Sequence, residues 1–299
     1  MTGSASHPDS GFILRGELRL GARLDEVQGK TVATRQFHRG ALSVMRPLYL
    51  DDSGQMSMFI LNPGGGYVSG DDYLIEVTVE DGAELLLTTQ SATKVYRTTG
   101  LPARQRLSAR IGDRGVLEYL PDQLIVYRDG RYLQDCAIEL APTGHLVLAE
   151  ITTAGWSPDD TDFSFEEIRT RCAISVRDEE GSARPLCVDH LRLVPADFGF
   201  EVGIMDGFTH CGQLLLVDRR IDDELVTALH SLADDSPCRV GISVTGAQFR
   251  CADGELAPRC LSMRSLGNST PEIAALHTKA ASLIRSRLTG RPDVNLRKY

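Results

Sequence analysis

Apolar and polar side chains alternate along much of the first two hundred residues, the period of half-buried strands. Residues 13–20 (ILRGELRL) alternate in part, and 73–80 do so more cleanly before Asp81-Gly82 supplies a turn. Residues 84–89 resume the pattern. Residues 116–120 and 124–127 follow and end at Asp129-Gly130. Residues 133–140 close at Pro142-Thr143-Gly144, and 146–151, 168–176 and 186–193 continue the series. Turn signals every ten to fifteen residues set the rhythm of an all-β body.

Helical spacing enters late. Ile221, Leu225, Ala228, Leu229 and Leu232 share one helical face, and Asp222-Asp223-Glu224 puts negative charge at its start, where the helix dipole favours it. Thr270-Pro271 reads as an N-cap followed by proline in the first turn of a second helix. Ile273, Leu276, Ala280, Leu283, Ile284 and Leu288 form its apolar face. Arg285 and Arg287 sit in its last turns, and Gly290 and Pro292 stop it. Short strands around 239–244 and 259–265 lie between the helices. The pattern predicts one unit over 1–299, with a β body at about 13–215 and an αβ appendage at about 216–299.

Composition narrows the function classes. The chain has 299 residues and a formal net charge of −9. An acidic chain without a basic stripe is unsuited to a nucleic-acid backbone. No apolar run is long enough to span a membrane. Met1 to Ser10 lacks a basic start followed by an apolar stretch, so the cytoplasm is the expected compartment. Seven scattered cysteines without a C-x-x-C pair read as free, mostly buried thiols.

Catalytic and nucleotide motifs fail one by one. Gly29-Lys30-Thr31 resembles the end of a phosphate loop, but Leu24 stands where that loop needs glycine. The run Asn62-Pro63-Gly64-Gly65-Gly66 breaks the dinucleotide fingerprint at Ser69 and leads into a strand instead of a helix. It reads either as a turn where backbones approach closely, or as a shaped loop whose Asp71 and Asp72 face a partner or a cation. His210-Cys211 offers two metal-ligand types, but neighbours on a strand point to opposite faces, so a structural pair is favoured.

Glu118 and Glu150 each sit among apolar neighbours on a predicted strand. Such a carboxylate points outward or is buried with partners. Two of them lining a polar interior would hold a divalent cation loosely. Thr88 to Arg97 packs five hydroxyls, an amide and two cations into ten residues, which reads as a solvated or protein-docking edge.

Asn62–Gly66 with Gly70-Asp71, then Leu87–Tyr96, Leu117–Pro121, Gly155–Asp159 with Phe163-Ser164-Phe165, Asp206–His210, and the closing Asn295–Tyr299 occur in order. With Arg46–Tyr49, this series resembles the signature of the UreD (UreH) family of urease accessory proteins, in the form found in Gram-positive bacteria. The resemblance implies a mainly β, helicoid-like fold with two helices in the C-terminal region and no catalytic activity. It also implies assembly with the accessory proteins UreF and UreG and with apo-urease, and transient Ni²⁺ passage through an internal tunnel with no tightly bound cofactor. It makes Asp71, Glu118 and Glu150 the nickel-path candidates. Thr89, Gln90, Lys94, Tyr96 and Arg97 become the candidates for partner docking. A β-rich hydrolase with a carboxylate pair and a generic protein-binding module are the competing readings.

Overall fold

In the computed structural model, which describes residues 11–197, 203–293 and 295–296, the alternating apolar positions become inward-facing rows of two stacked sheets. The opening ten residues and the last three of the closing motif, Arg297, Lys298 and Tyr299, lie outside the described residues. In chain order the strands are β1 (Ile13–Asp25), β2 (Lys30–Gly40), β3 (Ser43–Val44), β4 (Met56–Leu61), β5 (Asp71–Val79), β6 (Glu84–Thr89), β7 (Thr93–Val95), β8 (Ala103–Ile111) and β9 (Val116–Tyr119). Then come β10 (Leu124–Val126), β11 (Arg131–Leu140), β12 (His145–Thr152), β13 (Glu167–Arg177), β14 (Ala183–Leu193) and β15 (His210–Asp218). Helix α1 (Asp223–Asp234), β16 (Arg239–Thr245), β17 (Arg259–Gly267), α2 (Thr270–Ile284) and a π-helical turn over Arg285–Thr289 complete the fold.

The first sheet has the order β14-β13-β11-β8-β5-β1-β2, and the second β16-β17-β15-β12-β9-β6-β4-β3. From β4 to β13 the chain alternates between the two sheets. Neighbours within each sheet run parallel, β5-β8-β11-β13 in one and β4-β6-β9-β12 in the other. Parallel neighbours need a crossover, and here the strand in the opposite sheet supplies it. The result is a solenoid-like β winding, with the two helices near the C-terminus. Equivalent positions stack into rows. Leu20, Val77, Ala109, Ile138 and Ile174 form one row across the first sheet, and all five are buried.

The second sheet is covered on both faces. Leu146, Leu148, Leu215 and Val217 face the first sheet, whereas Val147, Ala149, Leu214 and Leu216 face α1 and α2. Double burial explains why β12 and β15 read as near-continuous apolar runs. The helices begin one residue away from the simplest reading. Asp222 caps α1 by accepting the Leu225 amide at 2.8 Å. Ser269, not Thr270, caps α2. Its hydroxyl accepts the Glu272 amide while Glu272 reaches back to the Asn268 amide, close to a capping box. The α-helix also ends earlier than Gly290. It widens into the π turn after Ile284, with Arg285 buried at the start of that turn.

Candidate functional site

The glycine run exists to let two backbones touch. A Cβ on Gly66 would lie 2.6 Å from the Tyr96 ring and 2.9 Å from the Lys94 carbonyl. Without it, the Tyr67 amide donates to Lys94 O and the Tyr96 amide to Tyr67 O, each at 2.8 Å. The segments 62–70 and 87–96 are thereby tied side by side. They frame a cavity of about 40 Å³ lined by Asn62, Gly66, Thr89, Lys94, Gln105 and Tyr119, among others. That volume holds a few waters. The buried Asn62 Oδ1 on its wall has no partner among the described residues.

Polar side chains continue inward from this cavity between the sheets. The Tyr67 hydroxyl donates to Gln105 Oε1 at 2.6 Å, and the Tyr67 ring stacks on Tyr73 with centroids 3.7 Å apart. Gln134 is the register neighbour of Gln105, and its Oε1 accepts the Tyr132 hydroxyl at 2.9 Å. Gln134 Nε2 then donates to Glu150 Oε1 at 2.5 Å. Beside Glu150 lies Gln213, whose register partner Arg264 pairs with Asp189. Burial pushes the Glu150 carboxyl up to about 6, opposed by the Gln134 hydrogen bond and reinforced by Asp189. Burial, with Glu150 close by, also raises Tyr119 and Tyr132 well above the phenol range.

Glu118 is elsewhere. It is the register partner of Val147, so Glu150, three residues further along β12, points to the opposite face of the second sheet. Glu118 lies under the π turn. Its carboxylate accepts Arg285 Nε and Gln55 Nε2, each at 2.9 Å, and both ion-pair side chains are at most 2% exposed. The two glutamates are therefore not brought together. The structure lacks the shared cleft that would make them an acid and base pair.

Nor do Asp71 and Asp72 face a partner. Both are buried. Asp71 accepts Arg15 Nε and the Val68 amide, each at 3.0 Å, with the Tyr73 hydroxyl at 3.4 Å. Asp72 sits between the forks of Arg104 and Arg106. The close-approach reading of this loop holds, and both carboxylates go to local ion pairs.

Two of the docking candidates, Thr89 and Lys94, line the same cavity. Thr89 exchanges hydrogen bonds with Asp122, and Gln90 is exposed. Lys94 lines the cavity, and Arg97 lies 3.4 Å from Asp129. Strand β7 is paired to β10, so it is not a free edge. Tyr96 meets Tyr127 at 5.0 Å and Tyr127 meets Trp156 at 4.8 Å, a row of rings that ends at a Trp156 48% exposed. Gln105, Gln134 and Tyr127, the middle ring of this row, were not singled out from the sequence. The signal was there: glutamine at buried, alternating positions of β8 and β11.

His210 bonds the Thr209 hydroxyl at 2.8 Å, and burial lowers its imidazole. Cys211 is buried. Among the described residues no three of His, Cys, Asp and Glu group to hold a metal. All seven cysteines are free thiols, six of them buried. No helix among the described residues is long and apolar enough to cross a membrane.

A family profile described as UreD urease accessory protein matches residues 14–298. The urease accessory protein UreD of Paenarthrobacter aurescens strain TC1 is 46% identical, with 98% of this chain and 99% of the relative covered. UreD of Kocuria rhizophila is 41% identical over 95% of this chain and 89% of the relative, and UreD of Bacillus sp. strain TB-90 is 33% identical over 95% and 98%. These matches define the class as an accessory protein of urease. The chain belongs to the UreD family.

Proposed function

We propose that this chain is a non-enzymatic scaffold for nickel insertion into apo-urease in the cytoplasm. In this reading it bridges urease to UreF and UreG and passes Ni²⁺ as cargo through its interior, without a tightly bound cofactor. The supporting observation is the polar seam between the sheets, from the cavity at Asn62, Gly66 and Lys94 through Gln105 and Gln134 to Glu150. Amide, phenol and single-carboxylate oxygens suit a cation that must be held weakly and released. Four fixed thiolate or imidazole ligands would hold it too tightly to move. Glu150 is the strongest nickel-path candidate. Asp71 and Glu118 carry a weaker case, because each is already ion-paired.

The test is co-expression of Glu150→Gln with urease and the other accessory proteins, followed by nickel analysis of purified urease. Reduced nickel with a normally folded variant is the expected result. Full nickel loading would remove the seam from the pathway.

A further inference from the structure

A second polar site lies on the far side of the second sheet, independent of the seam. The starts of β6, β9 and β12, the end of β15 and the π turn enclose a cleft of about 470 Å³. Glu84 and His145 flank Val116 in register on the helix-facing side of the sheet. Asp218 closes the row at the end of β15. Arg114, Arg219, Arg220 and Arg291 complete the polar lining.

Charge in this cleft opposes that of the whole molecule. The protein carries −9, yet four guanidiniums share the lining with two carboxylates, Glu84 and Asp218. Arg291 pairs with Glu84 and Arg220 with Asp218. Asp253, behind the lining, takes one side of Arg219. Arg114 makes no ion pair among the described residues, so a positive surplus remains.

Three buried nitrogens in this lining have no partner among the described residues: Arg291 Nη1, Arg219 Nε and His145 Nε2. Unmet buried donors are costly, and charged ones most of all. The Arg291 side chain is only 9% exposed, and burial lowers its pKa. His145 is 1% exposed. Its Nδ1 lies 2.7 Å from Asp218 Oδ2, which orients the ring and leaves Nε2 as the open edge. Nε2 can give or take one hydrogen bond, according to where the ring proton sits.

The unmet groups of this lining are therefore two guanidinium nitrogens, which donate, and one imidazole nitrogen. We infer that this cleft binds a small, partly protonated oxyanion of the hydrogen phosphate class. Its charged oxygens accept from Arg291 and Arg219, and its hydroxyl, donor and acceptor in one group, meets His145 Nε2 in either tautomer. An oxyanion without a proton satisfies the arginines but has no hydrogen to give to His145 Nε2.

Isothermal titration of the full chain with inorganic phosphate at neutral pH tests this, against sulfate at matched ionic strength. Phosphate is expected to bind and sulfate to bind several-fold more weakly. Arg219→Gln, which loses an orphan donor, is expected to weaken phosphate by about tenfold, one lost charge-assisted hydrogen bond. Arg114→Gln, at an exposed position that leaves the fold intact, is expected to weaken it less. Circular dichroism confirms that both variants are folded. No heat from phosphate beyond the sulfate control, or equal affinity in wild type and both variants, overturns the site.

Discussion

Glu118 and Arg285 are 167 residues apart in sequence and meet through a 2.9 Å contact in the buried layer between the second sheet and the C-terminal segment. Arg285 follows the buried Ala281 by four residues and the buried His277 by eight, so the helix itself carries it onto the inward face where the π turn begins. Gln55 bonds both partners, so the pair is held inside a small network. Removing one partner strands a buried charge, at a typical cost of about 3–5 kcal/mol. Arg285→Leu is expected to lower the urea midpoint steeply, whereas Glu118→Leu with Arg285→Leu should recover part of the loss. A double variant as unstable as Arg285→Leu alone would argue against the pairing.

Glu150 and His277 respond to acid in opposite directions. Burial raises Glu150 to about 6 from an ordinary 4.5, so the folded state binds its proton more tightly than the unfolded chain. Its ionisation costs stability as pH rises through about 4.5 to 6, by roughly 2 kcal/mol. Burial alone depresses His277 to about 4 from 6.5. The stability it contributes is present above about 6.5 and is lost as pH falls toward 4, by roughly 3 kcal/mol. The two slopes partly cancel in the wild type. Urea unfolding between pH 4 and 7 should show a shallow profile that falls more steeply toward acid in Glu150→Gln and tilts the other way, gaining stability toward acid, in His277→Leu. Parallel profiles for all three proteins would refute this assignment.

The alternation from 73–80 through 186–193 and both helices were legible because each follows one period over several residues. Strand β8 also alternates cleanly, with Ala103, Gln105, Leu107, Ala109 and Ile111 buried, but arginines at 104, 106 and 110 obscure it. Seven of the eleven residues of β2 are exposed along a sheet edge, where pattern carries little information. The winding could not be read, because parallel register depends on contacts between coils. The fate of the carboxylates was hidden for the same reason. A glutamate between apolar neighbours looks alike whether it faces Arg285, as Glu118 does, or Gln134, as Glu150 does.

Gly66 tests whether the two signature segments work as one unit. A methyl group there collides with the Tyr96 ring and the Lys94 carbonyl, and the carbonyl belongs to backbone that cannot swing aside. Gly66→Ala is expected to destabilise the fold by about 1–3 kcal/mol, the usual range for overpacking. Tyr96 contacts Tyr127, which contacts Trp156, the single tryptophan of the chain. Trp156 emission should therefore shift in this variant before global unfolding. An unchanged spectrum and midpoint would show that the close approach is not required.

The ring row also separates docking from folding. Trp156 is 48% exposed and Lys94 only half-buried, so neither is central to the core. Exposed aromatic groups beside a cation are the side chains from which protein interfaces draw most of their energy. If this face receives a partner in the urease maturation complex, Trp156→Ala and Lys94→Ala should each reduce co-purification with UreF or urease by several-fold. Each should shift the thermal midpoint by only a few degrees, as expected of partly exposed positions. Loss of co-purification together with a collapse in stability would make these residues structural. Full co-purification of both variants would move the docking surface elsewhere on the molecule.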